Sequence, residues 1–98
     1  MIKDIRELEQ MCSEAGMGAV EKITVQNGEL YIADGFSRGN DECPEPHYRA
    51  MWAIADGEDN ILVMQPVYFS LRTRDRDKRV AHMKELAIEF METRRALH

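Results

Sequence analysis

The chain reads as an α+β fold: a four-stranded antiparallel sheet made of two hairpins, with one helix before it and one after. Three observations predict this. Apolar residues recur at helical spacing over residues 2–15 and again over 75–97. Between them the period changes to two, first over 19–36 around Asn27-Gly28. The most apolar stretch, 47–71, is interrupted once by the polar turn 56–60 and then opens into a run of arginines.

In the first segment Ile2, Ile5, Leu8, Cys12 and Ala15 share one face, with Lys3, Asp4, Arg6, Glu7, Glu9 and Glu14 between them. That is an amphipathic helix. Gly16 and Gly18 are expected to end it, since glycine accepts the left-handed conformation a helix terminus needs. Asn-Gly is the strongest short hairpin signal, because both turn positions favour positive φ. Turning there pairs Val25 with Leu30 and Ile23 with Ile32, so these four residues share a face.

Residues 35–46 are irregular, with two glycines, two prolines and three acids. In the second hairpin, Ala55 opposite Ile61 places Trp52, Ile54, Leu62 and Met64 on one side. Met51, Ala53, Ile61, Val63 and Val67 fall on the other. Pro66 cannot donate to a ladder, so it marks an edge or a bulge, and a bulge would shift the pairs beyond it by one. The last helix buries Val80, Met83, Ala87, Phe90 and Leu97, flanked by Leu86, with Thr73, Asp75 or Asp77 as its cap. Both helices are expected on one face of the sheet.

Ninety-eight residues make one domain, 1–98, able to bury one core without metals or disulfides. With 44% apolar and 32% charged residues, the composition is that of a folded soluble protein. No apolar run approaches the roughly 18 residues of a membrane span, and charges occupy the place where a signal peptide would be apolar. No membrane contact and a cytoplasmic location follow as expectations, with Cys12 and Cys43 as reduced thiols. The net charge of −5 is split unevenly. Residues 1–71 carry five Lys/Arg and thirteen Asp/Glu, and residues 72–98 carry eight and five.

Two surfaces stand out as candidate sites. Met51, Ala53, Ile61, Val63 and Val67 give the second hairpin an apolar outer face, which is a protein-partner or homodimer surface unless one helix covers each face. Arg72, Arg74, Arg76, Lys78 and Arg79 gather at a helix N-terminus, where the macrodipole disfavours cations, so an anion is expected nearby. Asp41, Glu42 and Glu45 of the loop are the internal candidates. An external phosphate, nucleic acid or acidic partner is the alternative.

Motifs for chemistry are weak. Cys43 and His47 are four residues apart beside Asp41 and Glu42, but a zinc site needs about four ligands and no second pair has the spacing. A Cys-His nucleophile would also need an orienting group and an oxyanion donor. Asp56, Glu58, Asp59 and Asn60 lack the ligand order of a calcium loop. The expectation is therefore no catalytic residues, no cofactor and no metal. The reading is a non-catalytic protein–protein interaction module, a small acidic adaptor or inhibitor. In size and charge it is similar to phage-type inhibitors such as the anti-CRISPR proteins, a likeness that no motif carries. The alternative is an anion or nucleic-acid binder using the Arg72–Arg79 run.

Overall fold

Ten residues from His47 to Asp56 form β3, the strand that places the others. The computed structural model describes residues 5–14, 16–26, 28–56 and 61–96. Its order is α1 (Ile5–Glu14), β1 (Glu21–Val25), β2 (Gly28–Ser37), β3, β4 (Ile61–Val63), β5 (Val67–Phe69) and α2 (Arg76–Ala96). The α-β-β-β-β-α plan is as expected, with a short extra strand. The sheet is antiparallel in the order β1-β2-β3-β4, and β5 pairs with β3 on the same edge as β4. Among the described residues no helix is long and apolar enough to cross a membrane.

The first hairpin pairs two residues away from the expected register, with Val25 opposite Gly28 and Ile23 opposite Leu30. An even slip leaves every side chain on its face, so the apolar set survives the error. Asn27 lies outside the described residues, while Gly28 is already strand and faces Asp56 of β3. A Cβ on Gly28 would run into the Ala55 carbonyl and the Met91 sulfur. Close approach of β3 and α2, rather than turn chemistry, is what requires glycine here.

The second hairpin keeps its expected register next to the turn, with Ala55 opposite Ile61 and Ile54 opposite Leu62. Past Pro66 the pairing shifts by one, to Ala50–Val67, Arg49–Tyr68 and Tyr48–Phe69. The interruption also presents the Gln65 carbonyl to the Trp52 indole N–H, which donates to it at 2.8 Å. A buried indole is thereby satisfied. One consequence is a correction: Val67, expected on the outer face, stands on the α2 side and packs with Ala50 and Trp52.

The helices lie on opposite faces, not on one. Leu30, Ile32, Ala50, Trp52 and Ile54 meet Met83, Ala87 and Met91 of α2, with Ile23, Val25, Leu62 and Met64 at the margin. On the other face Ala33 and Ala53 meet Leu8 and Cys12 of α1, with Met17, Val20, Tyr31, Met51, Ile61 and Val63 around them. The physical reason is the second hairpin itself. It is apolar on both sides, and leaving either side wet would forfeit about 25 cal/mol for each Å² of apolar surface. Helix α1 ends where expected, with the Met17 N–H bonded to the Cys12 carbonyl. Asp75 caps α2, its carboxylate accepting from the Asp77 N–H at 3.0 Å.

One buried ion pair joins α2 to the sheet. Arg79 donates from Nε and Nη2 to the two oxygens of Asp34, at 3.0 and 2.6 Å. Its Nη1 donates to the carbonyls of Thr73 and Arg74, and the guanidinium lies 4.0 Å from the Tyr48 ring centroid. The two side chains are 5% and 2% exposed. Removing one partner of such a pair leaves the other charge buried and uncompensated. Asp34→Ala or Arg79→Met is expected to lower unfolding free energy by about 3–5 kcal/mol, and the double variant by less than the sum of the two, as read from urea unfolding.

The thiols offer a second check on the layers. Cys12 is 1% exposed on the sheet-facing side of α1, and burial pushes its thiol pKa up; Cys43 is half-buried in the loop. A thiol reagent is expected to modify Cys43 in the native protein and Cys12 only on unfolding.

Candidate functional site

The end of the sheet where β2 finishes, β3 starts and β5 finishes gathers most of the residues that could bind something. Phe36, Tyr48 and Phe69 form a row across these three strands on the α2 side. Phe36 meets Tyr48 edge-on with centroids 6.0 Å apart, and Phe69 meets His82 of α2 in the same way at 5.7 Å. His47, Arg49 and Tyr68 stand on the α1 side. The Tyr68 hydroxyl donates to Glu42 at 2.9 Å, and Arg49 Nη2 approaches the Met17 sulfur at 3.8 Å.

The loop between β2 and β3 is tied to itself. The Asn40 side chain accepts from the Cys43 N–H at 2.7 Å, while the Asn40 N–H donates to the Cys43 carbonyl at 2.8 Å. Cys43 and His47 do not face each other as nucleophile and base. Both turn to the Glu45 carbonyl, His47 Nδ1 at 2.7 Å and Cys43 Sγ at 3.9 Å. A carbonyl only accepts, so Nδ1 carries the proton in that bond. His47 is buried, edge-on to Tyr68 with centroids 4.8 Å apart, and its Nε2 has no hydrogen-bond partner among the described residues. Among the described residues no group of three or more His, Cys, Asp or Glu is placed to hold a metal. The acidic turn 57–60 lies outside them.

The two sites expected from sequence separate into residues that serve the core and residues that reach solvent. Ala53 is fully buried beneath α1, and Met51, Ile61 and Val63 pack beside it, so the apolar face they form is occupied within the chain. Of the basic run, Arg79 is sealed against Asp34, and Arg76 pairs with Glu21 of β1. Neither meets the loop acids expected to neutralise them, because the loop packs on the α1 side, where Glu42 takes the Tyr68 hydroxyl. Arg72, Arg74 and Lys78 are exposed and make no ion pair among the described residues.

Sequence reasoning missed what is most open here. Among the described residues the exposed large apolar side chains are Met11, Phe36, Tyr68 and Leu71, and three of the four stand at this end of the sheet. Leu71 follows β5 in the turn closed by the Thr73 N–H and the Ser70 carbonyl, next to Arg72 and Arg74. A usable signal existed for Phe36: it extends the even-numbered Leu30, Ile32 face past the point where the first strand can still pair.

The hydrogen bond to Glu42 has a titration signature. Accepting that bond as a carboxylate, Glu42 favours the neutral phenol and pushes the Tyr68 pKa up. The phenol's contribution to stability is therefore fully present below an ordinary tyrosine pKa and is lost as pH rises through the raised value. An ultraviolet titration, differenced against Tyr68→Phe, is expected to show Tyr68 ionising at lower pH once Glu42→Gln removes the carboxylate. Comparison with known proteins finds no matching family model, no matching curated protein and no matching solved structure.

Proposed function

We propose that the chain is a non-catalytic protein–protein interaction module, a small acidic adaptor or inhibitor, which docks through the β5 end of its sheet. One observation carries this reading. Tyr68 and Leu71 are exposed, Leu71 adjoining Arg72 and Arg74, which have no ion pair among the described residues, and Tyr68 bonded to the loop acid Glu42. An apolar centre within a rim of both charges is the usual anatomy of a protein interface. Met51, Ala53, Ile61 and Val63 serve the α1 core, and Val67 the α2 core, so the docking role passes to the turn and loop at this end. The same reading keeps the chain in the cytoplasm, where both thiols stay reduced.

A second reading has its own support. With Arg76 and Arg79 engaged in ion pairs, Arg72, Arg74 and Lys78 are the cations left for an external anion such as a nucleic-acid backbone. That binding would weaken steeply with salt, with a log–log slope of about −0.7 to −0.9 per phosphate contact.

Affinity capture from the native host's lysate tests the first reading. Wild-type chain is expected to retain a protein partner, and Leu71→Asp to weaken it by roughly 2 kcal/mol, about thirtyfold in Kd. Lys84→Ala, on the exposed side of α2, is expected to bind like wild type. A partner held equally by wild type and Leu71→Asp would refute docking at this end. Salt-sensitive oligonucleotide binding, lost in Arg72→Glu/Arg74→Glu, would favour the second reading.

A further inference from the structure

On the opposite edge of the same sheet, β2 is twice as long as the strand that covers it. It has ten residues, and β1 pairs only with Gly28 to Ile32. From Ala33 to Ser37 it has β3 on one side and, among the described residues, no strand on the other. Alternate residues of an antiparallel strand direct their N–H and C=O to each side. Residues 17–20, which lead into β1, make no backbone hydrogen bond to this stretch. Phe36 stands on it and, at 56%, is the most exposed large apolar side chain among the described residues. The usual protections of an edge, a lysine or a proline, are missing, and its one acid, Asp34, is turned in and neutralised by Arg79.

We propose that this edge pairs with itself, residues 34–38 of one copy running antiparallel to residues 34–38 of a second about a two-fold axis at Phe36. The inference goes beyond the docking reading above, since it concerns the other edge of the sheet and a second copy of this chain. Three features make the second copy the occupant that fits. The first is length. Pairing about Phe36 sets residue 38 of one copy opposite residue 34 of the other, short of Ile32, where Glu21 of β1 already sits. Gly39, at φ +121°, then turns the chain away. Pairing about Gly35 instead would drive Arg38 into the place held by Glu21.

The second feature is what meets across the pair. Phe36 faces Phe36 of the other copy, an aromatic cross-strand pair; Gly35 faces Ser37, small against small; and Arg38 falls opposite Asp34, so no like charges meet. The third is clearance. Helix α2 has Arg79 at Asp34 and Met91 near Gly28, so it runs away from Phe36 and the two α2 helices diverge from the axis. The arrangement repeats what the chain already does on the other side, where β4 and β5 share one edge of β3 end to end. Here β1 and the second copy's β2 would share an edge of β2. Such a contact is isologous, as most homodimers are.

Sedimentation equilibrium on the full chain tests this. Wild type is expected to reach twice the 11.3 kDa chain mass as concentration rises. Phe36→Asp is expected to raise the dimer Kd at least tenfold, with its circular dichroism and urea midpoint checked for folding. Leu71→Asp, on the other edge, is expected to leave the dimer unchanged. Site-directed cross-linking gives a readout that survives a poorly folded Phe36→Asp. In a Cys12→Ser/Cys43→Ser background, Phe36→Cys is expected to yield a disulfide-linked dimer on mild oxidation and Lys22→Cys on β1 to yield none. A wild-type monomer at every concentration overturns the proposal, and so does a dimer indifferent to Phe36→Asp or cross-linked at position 22 instead. Loss of a different captured protein on Phe36→Asp, with wild type monomeric, would assign the edge to a foreign strand and equally overturn it. A monomeric wild type would leave Leu71-dependent capture standing, so the two readings fail separately.

Discussion

A strand that is apolar on both sides has to be covered on both sides, and β3 imposes this on the rest of the molecule. Ala50, Trp52 and Ile54 alternate along it with Ala53 and Ala55, and all five are buried. Alternation sends the two sets to opposite faces. With two helices among the described residues, each face receives one. The larger apolar face takes the 21-residue α2, and the face lined by Ala33 and Ala53 takes the ten-residue α1. Small residues on that second face let a short helix approach closely, so Leu8 and Cys12 can seal its centre.

The Arg79–Asp34 pair sets where α2 begins on its face. Its desolvation is offset by a two-pronged carboxylate contact, two backbone carbonyls and an aromatic ring, so four of the guanidinium's five N–H groups find an acceptor. The guanidinium also takes up the carbonyls of Thr73 and Arg74, which ties the connector from β5 down to the start of the helix. Arg76, one turn earlier, reaches Glu21 on β1 from the same helix end. Cations crowd this helix N-terminus against the macrodipole because they bridge to the sheet, with Asp75 supplying the cap. Of the solvent-facing cations left over, Arg72 and Arg74 belong to the connector and Lys78 to the first turn of the helix.

Much of this was legible residue by residue. The period-two pattern placed Ile23, Val25, Leu30 and Ile32 with Trp52, Ile54, Leu62 and Met64, and they share the α2 core. Pro66 marked the point where the ladder slips by one, and Asp75 was among the expected caps. The buried pair also left a trace. Arg79 lies on the helical stripe of Met83, Leu86 and Phe90, and Asp34 on the strand face of Leu30 and Ile32, so each charge interrupts an apolar pattern. What could not be read was that the two interruptions meet, because 45 residues separate them and charge alone does not choose among eighteen acids. The exposed ends were harder still, since exposure of Phe36 depends on where a neighbouring strand stops.

By itself the sequence determined the elements, their order and which side chains share a face, because local periodicity and turn chemistry carry that information within a few residues. Tertiary structure alone decided which helix covers which face, which acid each arginine meets and which stretch of β2 stays without a neighbour. Those outcomes depend on competition among surfaces distant in the chain, where the winner is set by the area each helix can bury and by the cost of leaving a charge without a partner.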